Sequence, residues 1–142
     1  MYNNPLILYS LIIAFLWSLQ SIAQKHALNT ISHPTAFSIF SIMYFVLVLV
    51  YIGYNKELIH KDVKNLTSPL ILLMMAGVVI TFLANLLYYK ILKHNGVSLV
   101  TALTSTVPLF VALLAFLSLK ETLRPKQIAG IAAVVGGVFL IS

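Results

Sequence analysis

The chain has 142 residues, of which 61% are hydrophobic and only 8% are Asp, Glu, Lys or Arg. Soluble domains carry about 25% charged residues, so the composition excludes a water-soluble globular protein and indicates a membrane protein. The absence of cysteine excludes disulfides and thiolate metal sites. A net charge of +6 on so hydrophobic a chain indicates contact with lipid head groups and not with nucleic acid.

Five uncharged stretches alternate with clusters of charged residues along the chain. A helix rises 1.5 Å per residue, so about 20 apolar residues cross a hydrocarbon core of roughly 30 Å. The last stretch, 127–142, is shorter, and it spans only if Lys126 extends to the membrane surface or the bilayer thins. Because backbone groups must be paired in lipid, the sequence predicts an all-α integral membrane protein. Its five transmembrane helices are expected at about 6–26, 34–54, 69–90, 97–119 and 125–141.

The first predicted helix carries polar and aromatic residues along one side, namely Trp17, Ser18, Ser21 and Lys25. Lys25 has two interpretations. Its ammonium group either extends to the membrane surface or offers a cation to an anionic substrate.

The third and fourth predicted helices each have a polar face. Asn85 and Tyr88 share a face of the third helix, and Thr101, Ser105 and Pro108 recur at helical spacing in the fourth. A proline within a helix removes a backbone hydrogen bond, and broken helices often bound substrate sites in transporters. These faces are either packing seams between helices or walls of a substrate cavity.

The fifth predicted helix has a ladder of small residues, Ala129, Ala133 and Gly137, at intervals of four. Such a ladder favours close helix contact, within one subunit or in a dimer. Glu121 precedes this helix, and it acts either as a gate or coupling residue or as a favourable charge near a helix N-terminus.

Candidate catalytic groups are missing from the predicted helices. No Asp or Glu lies within them, and the four histidines lie at junctions without the spacing of a metal site. No paired carboxylates and no nucleophile with a base can be placed. We therefore expect no enzyme activity, no cofactor and no metal.

The distribution of positive charge predicts the orientation. With five crossings, six of the nine Lys and Arg residues lie on the side of the N-terminus. The positive-inside rule then places the N-terminus in the cytoplasm and the C-terminus outside, in the plasma (cell inner) membrane. The excess is only three charges, so insertion in both orientations stays open.

Residues from about 86 to 142 resemble the C-terminal part of an EamA-type domain of the drug/metabolite transporter superfamily. The family motifs "l.Pvf", "lgE.l", "q.iG" and "Gv.li" are similar to residues 107–110, 119–123, 127–130 and 137–141, and "lWG" is similar to residues 16–18. Two residues depart from the pattern. Ser18 replaces the usual glycine, and Arg124 stands where Ser or Thr often caps a helix.

The resemblance implies a single EamA-like transmembrane domain over residues 1–142. Typical members have ten helices in two five-helix halves of inverted topology around a central cavity, and this chain supplies one half. A second copy would complete the pathway, and an antiparallel homodimer would reproduce the inverted repeat.

The resulting expectation is a small-molecule transporter that works by alternating access. We expect it to export amino acids or other hydrophobic or zwitterionic metabolites. The expected cavity residues are Trp17, Ser18, Ser21, Asn85, Tyr88, Thr101, Ser105 and Pro108. The alternative is a non-transporting accessory subunit that packs against a larger partner, in which the small-residue faces serve only as interfaces.

Overall fold

The computed structural model describes residues 4–141, with side chains from residue 5 onward. Within this range the chain is helical apart from short turns and links, as predicted. The helices are α1 (Asn4–Thr30), α2 (His33–Tyr54), α3 (Lys56–Val63), α4 (Ser68–His94), α5 (Val97–Thr104), α6 (Val107–Leu114) and α7 (Pro125–Ile141), and a π-helical turn, Ala115–Leu119, follows α6 directly.

Four helical segments are long and apolar enough to cross a membrane: Pro5–Thr30, His33–Tyr54, Ser68–His94 and Val97–Leu119. The fifth apolar helix, α7, lies where the sequence predicts it, but its 17 residues extend only about 25 Å at 1.5 Å per residue. The described chain therefore has four segments of spanning length and a shorter fifth.

Residues 23–94 form one compact unit, in which α2 packs against α4. The ring of Phe37 meets those of Phe82 and Tyr89 edge-on, with centroid distances of 5.4 and 5.5 Å. Ser32 caps α2, because its hydroxyl oxygen accepts a hydrogen bond from the Thr35 backbone N–H at 3.4 Å. Aromatic packing thus holds α2 on α4, and the cap stabilises the start of α2.

Two predicted helix ends are wrong. The sequence predicts ends near residues 26 and 90, where the first charges appear, but α1 continues to Thr30 and α4 to His94. A charged residue ends the apolar stretch of the sequence. It does not end the helix, because lysine is a good helix former. The charged link after α2 is also partly helical, as α3.

The remaining described residues, up to Ile22 and from Asn95, form a second unit, in which α7 packs against α5 and α6. Val100 of α5 and Val138 of α7 are buried. Here the segment predicted at about 97–119 has the expected bounds, but it is divided into α5, α6 and the π-helical turn. Pro108 has no backbone N–H to donate to Thr104, and the chain turns at Ser105 and Thr106 before α6 begins.

The π-helical turn ends at Lys120, which has a left-handed backbone conformation with φ 55°. It is the one residue other than glycine with positive φ in the part of the chain that the structure describes. The Glu121 backbone N–H then donates to the Ala115 carbonyl at 3.3 Å, which closes the helix end. A side chain makes this conformation costly, and glycine is the usual residue there.

We expect Lys120→Gly to raise the free energy of unfolding by about 0.5–1 kcal/mol, because relief of left-handed strain exceeds the added entropy of the unfolded chain. Thermal unfolding in detergent micelles measures the change. Lys126→Gly is the matched control, since it removes the same charge within α7 and should lower stability by up to about 1 kcal/mol. Equal destabilisation by both substitutions would contradict backbone strain at Lys120.

Candidate functional site

The residues predicted to line a cavity are distributed over both units. Asn85 and Tyr88 belong to the unit of residues 23–94 and are half-buried. The others belong to the unit that contains α5, α6 and α7, and they are Trp17, Ser18, Ser21, Thr101, Ser105 and Pro108. Trp17 is 66% exposed, so its indole supplies an accessible N–H donor.

The serine hydroxyls of α1 hydrogen-bond within their own helix. Ser18 Oγ donates to the Ala14 carbonyl at 2.8 Å, and Ser21 Oγ donates to the Trp17 carbonyl at 2.9 Å. A hydroxyl that donates in this way keeps its oxygen lone pairs as acceptors. This side of α1 therefore offers the Ser18 hydroxyl oxygen as an acceptor beside the Trp17 indole donor.

Asn85 also bonds to its own helix, since its Nδ2 donates to the Thr81 carbonyl at 2.9 Å. An amide group has two N–H hydrogens and a carbonyl oxygen, so this bond uses one of its hydrogens. Tyr88 lies next along the face, and its ring is 6.3 Å from that of Tyr89 between centroids.

The turn between α5 and α6 is rich in hydroxyl groups that act as donors to the preceding backbone. Thr104 Oγ1 donates to the Val100 carbonyl at 2.9 Å, and Thr106 Oγ1 donates to the Leu103 carbonyl at 3.0 Å. Ser105 Oγ donates to the Ala102 carbonyl in the same way. The hydroxyl hydrogens are thus used locally, while their oxygens remain able to accept.

An apolar groove of about 850 Å³ runs between α6 and α7. Its walls come from α6, the π-helical turn, the link before α7 and α7 itself. Its lining includes Leu109, four residues after Ser105 in the sequence, and Thr122 is the only hydroxyl-bearing residue among those that line it. A groove of this size and character suits the apolar part of a small molecule or a lipid chain.

The small-residue ladder of α7 is left open by its own chain. Ala129 and Ala133 are exposed and Gly137 is half-buried, and a Cβ atom built on Gly137 meets nothing within 4 Å. The neighbouring Val138 is buried instead. Although α5 and α6 pack against α7, they leave most of the ladder uncovered.

Two lysines connect the C-terminal ends of α1 and α4. Lys25 Nζ donates to the carbonyls of Leu92 and Lys93 at 2.8 and 3.2 Å. Lys93 Nζ donates in return to the carbonyls of Leu28 and Ile31, at 3.0 Å for the latter. The last carbonyls of a helix have no partner within it and carry partial negative charge. This lysine pair, Lys25 and Lys93, supplies the missing donors to each helix from the other.

Sequence reasoning missed a buried hydrogen bond beside the lysine pair. Gln24 Nε2 donates to the Tyr89 hydroxyl at 2.9 Å, and the two residues are 5% and 2% exposed. A glutamine in an apolar helix indicates a hydrogen bond to another group, because a buried amide needs partners. Nothing in the sequence identifies a partner 65 positions away.

Glu121 and Arg124 lie in the link before α7, and both are exposed. The Arg124 backbone N–H donates to Gln127 Oε1 at 2.8 Å, so one half of a capping box is present although Arg124 replaces the usual Ser or Thr. Among the described residues no group of three or more His, Cys, Asp and Glu could hold a metal ion.

We expect Lys25→Met and Lys93→Met each to lower the free energy of unfolding by about 1–3 kcal/mol, because each leaves helix-end carbonyls without charged donors. The double substitution should cost less than the two single costs together, since both lysines join the same two helices. Lys90→Met is the matched control, because Lys90 is an exposed lysine of α4. An equal loss in the control, in thermal unfolding, would contradict a specific role for the pair.

Comparison with known proteins identifies the family. The profile of the EamA-like transporter family matches residues 4–142. An uncharacterised protein of Methanocaldococcus jannaschii is 34% identical over 97 residues, which cover 68% of this chain and 67% of that protein. No solved structure matches the chain. The spanning helices and the match along nearly the whole chain place this multi-pass integral membrane protein in the EamA-like transporter family.

Proposed function

We propose that the chain forms a small-molecule transporter that exports amino acids or other hydrophobic or zwitterionic metabolites. The observation that carries the proposal is the break in the fourth spanning segment, with hydroxyl-bearing residues around it, in a chain of a transporter family. Broken helices at membrane depth recur at substrate sites in transporters. The cavity residues are those predicted from the sequence, with Ser105 and Pro108 at the break.

The proposed topology has five crossings in a single domain over residues 1–142. The helix α7 completes the count if Lys126, in its first turn, reaches the membrane surface while the apolar remainder spans. The N-terminus then lies in the cytoplasm, on the side with six of the nine positive charges, and the C-terminus lies outside. The plasma membrane is the proposed location.

A homodimer supplies the second half of the pathway in this proposal. The open ladder of α7 supports it, because small residues allow close helix approach in lipid and the chain itself leaves them uncovered. An antiparallel pair would reproduce an inverted repeat, and rocking of one subunit against the other would give alternating access. The same open surface would also fit an accessory subunit bound to a different partner.

We expect Asn85→Leu and Ser105→Leu to abolish transport in proteoliposomes, because each removes polar groups from a cavity wall that tolerates apolar filling. Membrane insertion and helix content should stay close to those of the wild type. Ser41→Leu, at an exposed position of α2, is the matched control and should transport normally. If the first two variants fail to insert or fall apart in detergent, these positions are packing seams and the proposal fails.

We expect Gly137→Leu to dissociate the dimer in chemical crosslinking and light scattering, because a Cβ atom at this position meets nothing of its own chain within 4 Å and a larger side chain would block the close approach of a second subunit. Gly53→Leu on α2 is the control, since a Cβ atom there also meets open space. Assembly in fixed ratio with a different protein would favour the accessory subunit.

The antiparallel form of the dimer depends on insertion in both orientations. Tags on both termini, probed from each side of the membrane, report the orientation of every molecule. A single orientation throughout would exclude the antiparallel arrangement.

A further inference from the structure

The fourth spanning segment, Val97–Leu119, has two backbone oxygens without donors near its middle. Pro108 has no N–H for the Thr104 carbonyl, and the Leu109 N–H donates to the Thr106 carbonyl at 2.9 Å instead of to Ser105. In the part of the chain that the structure describes, no hydrogen bond ends on the carbonyl oxygen of Thr104 or of Ser105.

Unpaired carbonyls at membrane depth argue against a break that faces lipid. Each unsatisfied backbone group costs several kcal/mol in hydrocarbon. Irregular backbone is tolerated in a membrane only where it is buried in protein or lines a water-filled cavity. Thr104 and Ser105 are exposed on their own chain, so this chain does not bury the break. In the proposed transporter the break therefore faces the substrate cavity and not lipid.

The break accepts hydrogen bonds and donates few. The hydroxyl hydrogens of Thr104, Ser105 and Thr106 are used by backbone carbonyls one turn earlier. What remains is a set of oxygen lone pairs, including those of the two free carbonyls. The complementary ligand group is one with several N–H donors, such as a primary ammonium.

The rest of the chain limits the charge of that ligand. The three acidic residues, Glu57, Asp62 and Glu121, all lie outside the spanning segments, and the net charge is +6. A bare cation would therefore enter without a carboxylate partner, whereas a zwitterion carries its own counter-charge. The apolar groove is lined by Leu109, one turn beyond Ser105 in the sequence, and offers space for an apolar side chain.

We propose that the break between α5 and α6 is the recognition site for the ammonium group of a zwitterionic substrate, which donates hydrogen bonds to the carbonyl oxygens of Thr104 and Ser105. The apolar part of the substrate occupies the groove between α6 and α7. This inference rests on the proposed transport function and adds the substrate group that is recognised and the atoms that bind it.

Aqueous access to the break is tested without any transport assay. The chain has no cysteine, so Ser105→Cys introduces a single thiol for reaction with a charged methanethiosulfonate reagent in proteoliposomes. Leu103→Cys is the matched control at nearly the same depth, two residues away and on the opposite side of the helix. We expect Ser105→Cys to react at least about tenfold faster than the control and L-leucine to slow the reaction. Equal reactivity of the two thiols would overturn the proposal.

Recognition of the ammonium group is tested by Pro108→Ala, which restores an N–H that can pair with the Thr104 carbonyl. This variant should be more thermostable than the wild type, because proline disfavours a helix, so loss of binding cannot be ascribed to unfolding. Quenching of Trp17, the only tryptophan, reports binding of L-leucine and of 4-methylpentanoate, which lacks the ammonium group. The wild type should prefer leucine at least about tenfold, and Pro108→Ala should lose that preference.

The control for this substitution is Pro34→Ala, in the first turn of α2, where a proline interrupts no helix bond. It should keep the preference for leucine. A wild type that transports solutes but prefers neither probe, or a Pro108→Ala variant that keeps the preference, would overturn the inference and leave the proposed function standing. A wild type that transports no amino acid or apolar metabolite would overturn the proposed function itself.

Discussion

Every backbone N–H and C=O group that enters a bilayer needs a hydrogen-bond partner, because hydrocarbon offers none. This constraint accounts for the helical character of the described chain and for the length of its apolar segments. It also allows an interpretation of the backbone groups that lack a partner. Where the fourth spanning segment breaks at Ser105 and Thr106, the unpaired carbonyls require surroundings other than lipid, and a substrate cavity meets that requirement.

The same constraint applies at the ends of helices. The last carbonyls of α1 and α4 lie beyond the predicted ends, and Lys25 and Lys93 supply the donors that they lack. A lysine at a helix end thus does more than mark the membrane surface. It donates hydrogen bonds to the last carbonyls of the neighbouring helix. The buried hydrogen bond between Gln24 and Tyr89 joins the same two helices about one turn deeper.

Two surfaces of the described chain are left open, and the proposed homodimer would cover them. A Cβ atom built on any glycine of α7 would meet nothing of its own chain within 4 Å, although close approach is the usual reason for small residues in a membrane helix. The groove between α6 and α7 is open in the same way. Lipid, a substrate, a second copy or a different subunit would cover these two surfaces. Assembly and transport therefore belong to one proposal.

The sequence alone determined that the chain is helical, where the apolar helices lie and to which family it belongs. The bounds of α2 and α7 follow closely from it, because hydropathy and terminal prolines are local properties of the chain. The tertiary structure decided the rest. The partners of Lys25 and Gln24 are more than sixty positions away in the sequence, and the carbonyls freed at the break depend on how the chain turns before Pro108. Hydrogen-bond partners are set by which groups meet in space, and no local pattern of residues contains that information.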